Sequence, residues 1–170
     1  MKQLVLGGEK SGKSDFAAAL LAKHKDPRLM LATGQALDLG LREQILKHRK
    51  KRAPDILVKE IMLDLPEVLG ETAGLYGSVL VDSLDFWLFS CLQADRAKER
   101  VEALLKSITT LHNNVNVILV SCEAGLGLVS ADPVSRIFVR ELGSLNRAVA
   151  ELCDQAYFVV AGRALPLGGP

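Results

Sequence analysis

The stretch Gly7-Gly8-Glu9-Lys10-Ser11-Gly12-Lys13-Ser14 follows the apolar run Gln3-Leu4-Val5-Leu6 and leads into Phe16-Ala17-Ala18-Ala19-Leu20-Leu21. Gly7, Gly12, Lys13 and Ser14 satisfy the spacing G-x-x-x-x-G-K-[ST] between a segment that reads as strand and one that reads as helix, the setting this motif requires. Glycines let the backbone curl so that consecutive N–H groups face inward, a helix start adds its positive end, and a lysine ammonium can reach the outer phosphates. On this reading Gly7, Gly8, Glu9, Lys10, Ser11, Gly12, Lys13 and Ser14 cradle a nucleoside triphosphate, and the Ser14 hydroxyl binds Mg2+. The competing reading is a glycine-rich surface turn in which Lys13 is only a solvated charge. Four fixed positions and both flanks favour the cradle.

Outward from this loop, short runs rich in valine, isoleucine and leucine recur: Gln3 to Leu6, Arg28 to Ala32, Ile56 to Glu60, Ser78 to Val81, Val115 to Ser121 and Ala156 to Ala161. They lack strict polar alternation, as strands buried on both faces do. Between them lie stretches of helical period at Lys13 to His24, Leu39 to Lys51, Leu65 to Thr72, Leu84 to Leu111 and Val134 to Cys153. Alternating strands and helices predict an α/β fold with a mostly parallel central sheet flanked by helices, and ligands beyond the carboxyl ends of the strands. The tail Leu167-Gly168-Gly169-Pro170 is expected to fray.

A length of 170 residues matches one domain, 1 to 170, large enough to bury its own core. With 49% apolar and 24% charged residues, and no apolar stretch long enough to span a bilayer, the composition predicts a globular protein without a membrane span, and an N-terminus that opens on a strand pattern rather than a secretory signal predicts a cytoplasmic address. Cys91, Cys122 and Cys153 are odd in number and far apart, which argues against a disulfide framework or a zinc site and for small core residues. A net charge of +1 gives no reason to invoke nucleic acid, although Lys47, Arg49, Lys50, Lys51 and Arg52 form a dense basic cluster.

A triphosphate site of this kind needs a second acid at the end of another strand to hold the metal through its shell. Asp82, after Gly77-Ser78-Val79-Leu80-Val81, is the candidate, and it could equally cap the helix that begins near Ser83. A regulatory GTPase would carry N-K-x-D and D-x-x-G signatures, and neither is present. A small-molecule kinase remains open.

Five segments extend the P-loop into a wider pattern: LGGEKSGKSDFAAAL from Leu6, LATGQALD from Leu31, ILKHRKKRAP from Ile45, VLVDSLDFWL from Val79, and the run from Glu123 that holds E-x-G-x-G-x-V, Arg136, Phe138, Arg140, Gly143 and Asn146. In this order and spacing the chain resembles the bifunctional adenosylcobinamide kinase / adenosylcobinamide-phosphate guanylyltransferase family of cobalamin biosynthesis. The resemblance implies an enzyme that phosphorylates adenosylcobinamide with ATP or GTP. It further implies transfer of GMP from GTP to the resulting phosphate through a guanylylated histidine, in a homotrimer. The histidine position matches His48. The nucleotide-contacting positions match Thr33, Gly34, Gln35, Arg49, Lys50, Lys51, Arg52, Glu60 and Asp82, with Mg2+ on Ser14 and Asp82. Departures from the pattern are Asp82 for glutamate, Gly40 and Gln44 ahead of the histidine, Cys122 for asparagine, and Ile56 and Val58 before Glu60.

The residues around His48 fit that chemistry. Of three histidines, His48 alone lies inside the basic cluster, where neighbouring cations would keep the imidazole neutral and absorb charge on an attacked phosphate. His24 and His112 read as surface or terminal residues. Arg136 and Arg140, four apart, share a helical face and serve either phosphate or a neighbouring acid. Leu84, Phe86, Trp87, Leu88, Phe89 and Leu92 place apolar groups on more than one side of a helix, which reads as a subunit contact or as a thick core. Two other functions fit the P-loop: a kinase of another metabolite that needs no histidine, and a nucleotide-binding subunit without turnover.

Overall fold

A computed structural model describes residues 1–24, 26–33, 56–72, 74–111, 114–128 and 131–168. Among the described residues seven strands form one sheet: β1 (Lys2–Gly7), β2 (Arg28–Ala32), β3 (Ile56–Glu60), β4 (Ser78–Asp82), β5 (Asn116–Cys122), β6 (Gln155–Val160) and β7 (Arg163–Leu167). Their order is β3-β2-β4-β5-β1-β6-β7. Pairing is parallel throughout except between β6 and β7. The described helices are α1 (Lys13–Leu21), α2 (Leu65–Thr72), α3 (Leu84–Gln93), α4 (Ala97–Thr110) and α5 (Pro133–Leu152).

Strand periodicity splits the core in two. Leu4 and Leu6 of β1, Leu29 and Leu31 of β2, Val79 and Val81 of β4, and Val117 and Leu119 of β5 face one side, where α2, α3, α4 and α5 pack. The residues between them, Val5, Met30, Leu80, Ile118 and Val120, face the other side with Ala17 and Leu21 of α1. Because successive side chains of a strand point to opposite faces, a strand covered on both sides must be apolar at every position. This explains the uninterrupted apolar runs.

Two elements depart from the sequence expectation. The helix expected over Leu84 to Leu111 is two helices, broken at Ala94, Asp95 and Arg96, with Asp95 at φ 54. Asp is among the few residues that enter the left-handed region readily, so the break needs neither glycine nor proline and leaves the apolar period intact. The expected frayed tail is also partly strand, since Leu167 closes β7 opposite Ala156. Pro166 sits in this edge strand, where a missing N–H costs no ladder bond. Smaller shifts at element ends follow, such as α1 stopping at Leu21 rather than His24.

Packing of α2 on α4 is fastened by Arg100, which is only 6% exposed. Its guanidinium donates to the Leu63 carbonyl at 2.9 Å and to both carboxylate oxygens of Glu67. The ion pair holds the Glu67 carboxyl below its ordinary range.

Candidate functional site

Parallel pairing brings the carboxyl ends of β1, β4 and β5 to one edge, with Gly7 beside Cys122 and Asp82 beside Val120. The P-loop leaves β1 at this edge and curls through Lys10 at φ 55 and Gly12 at φ 95, both in the left-handed region that lets successive amides converge. Gly12 caps α1 without any side-chain bond, so the first amides of the helix face the loop. The Ser11 N–H donates to the Gly8 carbonyl at 3.2 Å, and the Lys13 ammonium donates to the same carbonyl at 3.3 Å. Lys13 therefore lies folded along the loop that the sequence assigned it to.

The Ser14 hydroxyl donates to Asp82 Oδ1 at 3.3 Å across 68 positions of sequence. Asp82 does not cap α3, as one sequence reading allowed; the cap position is Ser83, whose side chain makes no capping bond. A hydroxyl and a carboxylate are hard oxygen donors, and Mg2+ characteristically takes one or two such protein ligands while phosphates and water complete its octahedron. Ser14 and Asp82 fit that ion. Among the described residues there is no cluster of three or more His, Cys, Asp or Glu that would suit a softer or fully caged metal.

Thr33 lies where β2 ends, but its hydroxyl is turned inward. It is 2% exposed, donates to the Ser83 carbonyl at 2.5 Å and accepts from the Ser83 N–H at 2.8 Å. A second link, from the Thr33 N–H to the Asp82 carbonyl at 3.2 Å, ties the ends of β2 and β4 together. The Thr33 hydroxyl is thus committed to the Ser83 backbone, next to Asp82. Glu60 ends β3 at the sheet margin and is exposed. Gly34, Gln35, His48, Arg49, Lys50, Lys51 and Arg52, the predicted helix Leu39 to Lys51, and His112 lie outside the described residues.

His24, expected as a plain surface residue, donates from Nε2 to Gln3 Oε1 at 3.0 Å. Burial lowers its pKa. Gln3 is near the amino end of β1, so His24 stands at the opposite edge of the sheet from the P-loop.

Asp85, which the sequence did not single out, joins the site from the first turn of α3. Its Oδ1 accepts from the Cys122 N–H at 3.1 Å, the Asn146 amide donates to the Cys122 carbonyl at 3.0 Å, and the Glu123 N–H donates to the Gly7 carbonyl at 3.0 Å. These bonds fix the end of β5 beside the loop. An acid three positions after Asp82, in the first helical turn, was the available signal, and it reads equally as an ordinary favourable charge there. Burial first, then the Asp85 charge, raises the Cys122 thiol pKa. The Arg136 guanidinium donates to the Ala131 carbonyl at 2.6 Å at the start of α5.

On α3, Trp87, Leu88 and Cys91 are buried, whereas Phe86 is 40% and Phe89 38% exposed. Phe89 meets Phe138 of α5 edge to face at 6.0 Å. The helix is therefore not wholly absorbed by a thick core. No helix among the described residues is long and apolar enough to cross a membrane.

Comparison with known proteins matches residues 3–167 to the family described as cobinamide kinase / cobinamide phosphate guanyltransferase. The chain is 38% identical to the bifunctional adenosylcobalamin biosynthesis protein CobP of Pseudomonas aeruginosa, over 99% of this chain and 98% of that protein. It is 25% identical to the bifunctional adenosylcobalamin biosynthesis protein CobU of Escherichia coli, over 95% of this chain and 97% of that one. Among solved structures it resembles flagellar accessory protein FlaH of Methanocaldococcus jannaschii, with a TM-score of 0.53 and 13% identity over 98% of this chain and 77% of that one. A KaiC-like protein from Pyrococcus horikoshii is similar at a TM-score of 0.52 and 17% identity, over 92% of this chain and 69% of that one. These likenesses carry the fold alone: a mostly parallel sheet flanked by helices.

Proposed function

Because the chain belongs to the cobinamide kinase / cobinamide phosphate guanyltransferase family, we propose that its P-loop serves both reactions of that family on adenosylcobinamide and its phosphate. The observation that carries this reading is the approach of the Ser14 hydroxyl to Asp82 Oδ1 at 3.3 Å, on the loop that also holds Lys13. An anion in the loop meets converging amides and the start of α1, and the Lys13 ammonium moves from the Gly8 carbonyl to the outer phosphates. Mg2+ held by Ser14 and Asp82 supplies charge neutralisation to the triphosphate when bound.

In the kinase reaction the aminopropanol hydroxyl of adenosylcobinamide attacks the γ-phosphorus of ATP or GTP. The bond to the β-phosphate oxygen breaks, the nucleoside diphosphate leaves, and the hydroxyl proton passes to solvent or a nearby base. Lys13 and the loop amides stabilise the charge that accumulates on the transferring oxygens, and their fixed positions remove the entropy cost of aligning them. In the second reaction a nitrogen of neutral His48 attacks the α-phosphorus of GTP and pyrophosphate leaves. A phosphate oxygen of adenosylcobinamide phosphate then displaces the histidine, forming the diphosphate linkage and restoring the imidazole. Arg49, Lys50, Lys51 and Arg52, with Gly34, Gln35 and Glu60, complete the nucleotide site. The segment containing Thr33 keeps Asp82 in place by the bonds described above.

The same reading makes the protein a cytoplasmic homotrimer. The part-exposed Phe86 and Phe89, with the exposed Val134 and Ile137, support a subunit contact, since apolar groups at neighbouring helix starts gain from being covered.

Incubation with GTP labelled at the α-phosphate is expected to give an acid-labile protein adduct that is lost in His48→Ala and in Lys13→Ala. Adduct retained in His48→Ala would overturn the assigned nucleophile. Phosphoryl transfer to adenosylcobinamide that survives in His48→Ala would leave the kinase step standing by itself.

A further inference from the structure

The turn that joins β6 to β7 lies against the P-loop backbone. The Gly162 N–H donates to the Ser11 carbonyl at 2.8 Å. A Cβ placed on Gly12 would come within 3.2 Å of the Gly162 Cα, so the two backbones approach as closely as glycine permits. Ala161 at φ 51 and Gly162 at φ 73 are both left-handed, the pair of angles that lets a two-residue turn follow the twist of its strands. The turn is thereby held rigidly on β6, which itself pairs with β1 from Gln3 to Gly7.

A trans peptide is planar, and its C=O and N–H point in opposite directions. The bond from Gly162 draws the Ser11 carbonyl toward the hairpin, and this turns the Gly12 N–H away from it. The Ser11–Gly12 peptide is flanked by left-handed Gly12, the residue type that rotates most freely. Rotated the other way, that peptide would aim a carbonyl oxygen at an anion bound in the loop.

Resting on the assignment of the P-loop as a triphosphate site, we infer that the β6–β7 turn is a positioning clamp for polyphosphate binding, in which the Gly162 N–H selects the one orientation of the Ser11–Gly12 peptide that offers its amide to phosphate. Gly162 touches no substrate and is a positioning residue. The C-terminal hairpin, which contains none of the residues assigned to the nucleotide, therefore sets nucleotide affinity.

The test compares Mg·GTP binding by calorimetry, and KM against kcat for phosphoryl transfer, in the full chain and three variants. Gly162→Pro removes the donor and forbids φ > 0. Gly162→Val keeps the donor but disfavours the left-handed turn. Gly162→Asn keeps the donor and tolerates that turn, and a Cβ at Gly162 meets no atom within 4 Å. The proline variant is expected to weaken GTP about tenfold or more and raise KM with kcat within about twofold, while asparagine stays within about threefold of wild type. Tight GTP binding by Gly162→Pro overturns the clamp. Where the proline variant does not fold, Gly162→Val with a native circular-dichroism spectrum decides: binding weakened threefold or more supports the clamp, and unchanged binding overturns it. A wild-type chain that binds no GTP would instead overturn the triphosphate assignment and the clamp with it.

Discussion

Replacing Gly7 with alanine is expected to damage the P-loop, whereas the same change at Gly8 leaves it intact. A Cβ on Gly7 would lie 2.5 Å from Ser11 Oγ and 2.6 Å from the Val159 carbonyl oxygen, while one on Gly8 meets nothing within 4 Å. The two Gly7 conflicts differ in cost. Ser11 Oγ is buried and has no hydrogen-bond partner among the described residues, so its rotation forfeits little. The Val159 oxygen belongs to backbone held between β1 and β7, with Val159 opposite Gly7 on one side and Ala164 on the other. Relief there needs a strand or the loop itself to shift, and such overpacking costs about 1–3 kcal/mol. With a urea slope of about 2 kcal/mol/M for a domain of this size, the Gly7→Ala midpoint falls by roughly 1 M. If the loop yields instead of the strand, the loss appears in triphosphate affinity. Urea unfolding and GTP titration on both variants separate the cases. Gly7→Ala that matches Gly8→Ala in midpoint and in affinity would refute the reasoning.

Asp82→Asn removes the charge opposite Ser14 and is expected to slow both transfers on the order of 100-fold at saturating nucleotide, as loss of a charge-stabilising group in the reacting region typically does. Its GTP affinity measured without Mg2+ stays near wild type, and a variant with unimpaired turnover would remove Asp82 from the metal site. Glu67→Gln deprives the buried Arg100 guanidinium of its counter-charge, at a cost of about 1 kcal/mol because the carboxylate side is half exposed. The folded pKa of Glu67 lies below its ordinary 4.5, so this contribution is present above pH 4.5 and is lost as pH falls through the lower folded value. Wild type should therefore lose more stability than Glu67→Gln as pH falls from 5.5 to below the folded Glu67 pKa; equal urea midpoints across that range would count against the pair.

The fold was legible where local pattern and tertiary role coincide. Strands covered on both faces have to be apolar at every position, which is why the run from Arg28 to Ala32 carries the same bounds in the structure as in the sequence; Ile56 to Glu60 keeps its bounds too, but as the edge strand β3 it is exposed from Leu57 to Glu60 and so is not the doubly covered strand the sequence pattern suggested. The P-loop was legible for a similar reason, since its glycines, lysine and serine are close in the chain and each has a mechanical task there. Elements without a local mark were missed. Asp95 breaks α3 from α4 by entering the left-handed region, yet the apolar period runs on across it. The strand β7 follows an alanine and a glycine and contains Pro166, a composition that resembles a tail until β6 pairs with it.

The candidate site divides the same way. From the sequence alone come the P-loop pattern at Gly7 to Ser14, the alternation of strand and helix, and an acid at the end of β4. Only the tertiary structure decides that Asp82 faces Ser14 rather than capping α3, that the Thr33 hydroxyl is taken by Ser83, and that Gly162 reaches back to the Ser11 carbonyl. Each of these joins residues about 50 to 150 positions apart, brought together by parallel strand order and register. Periodicity and spacing describe neighbours along the chain; hydrogen bonds that form across the sheet depend on which strand lies beside which.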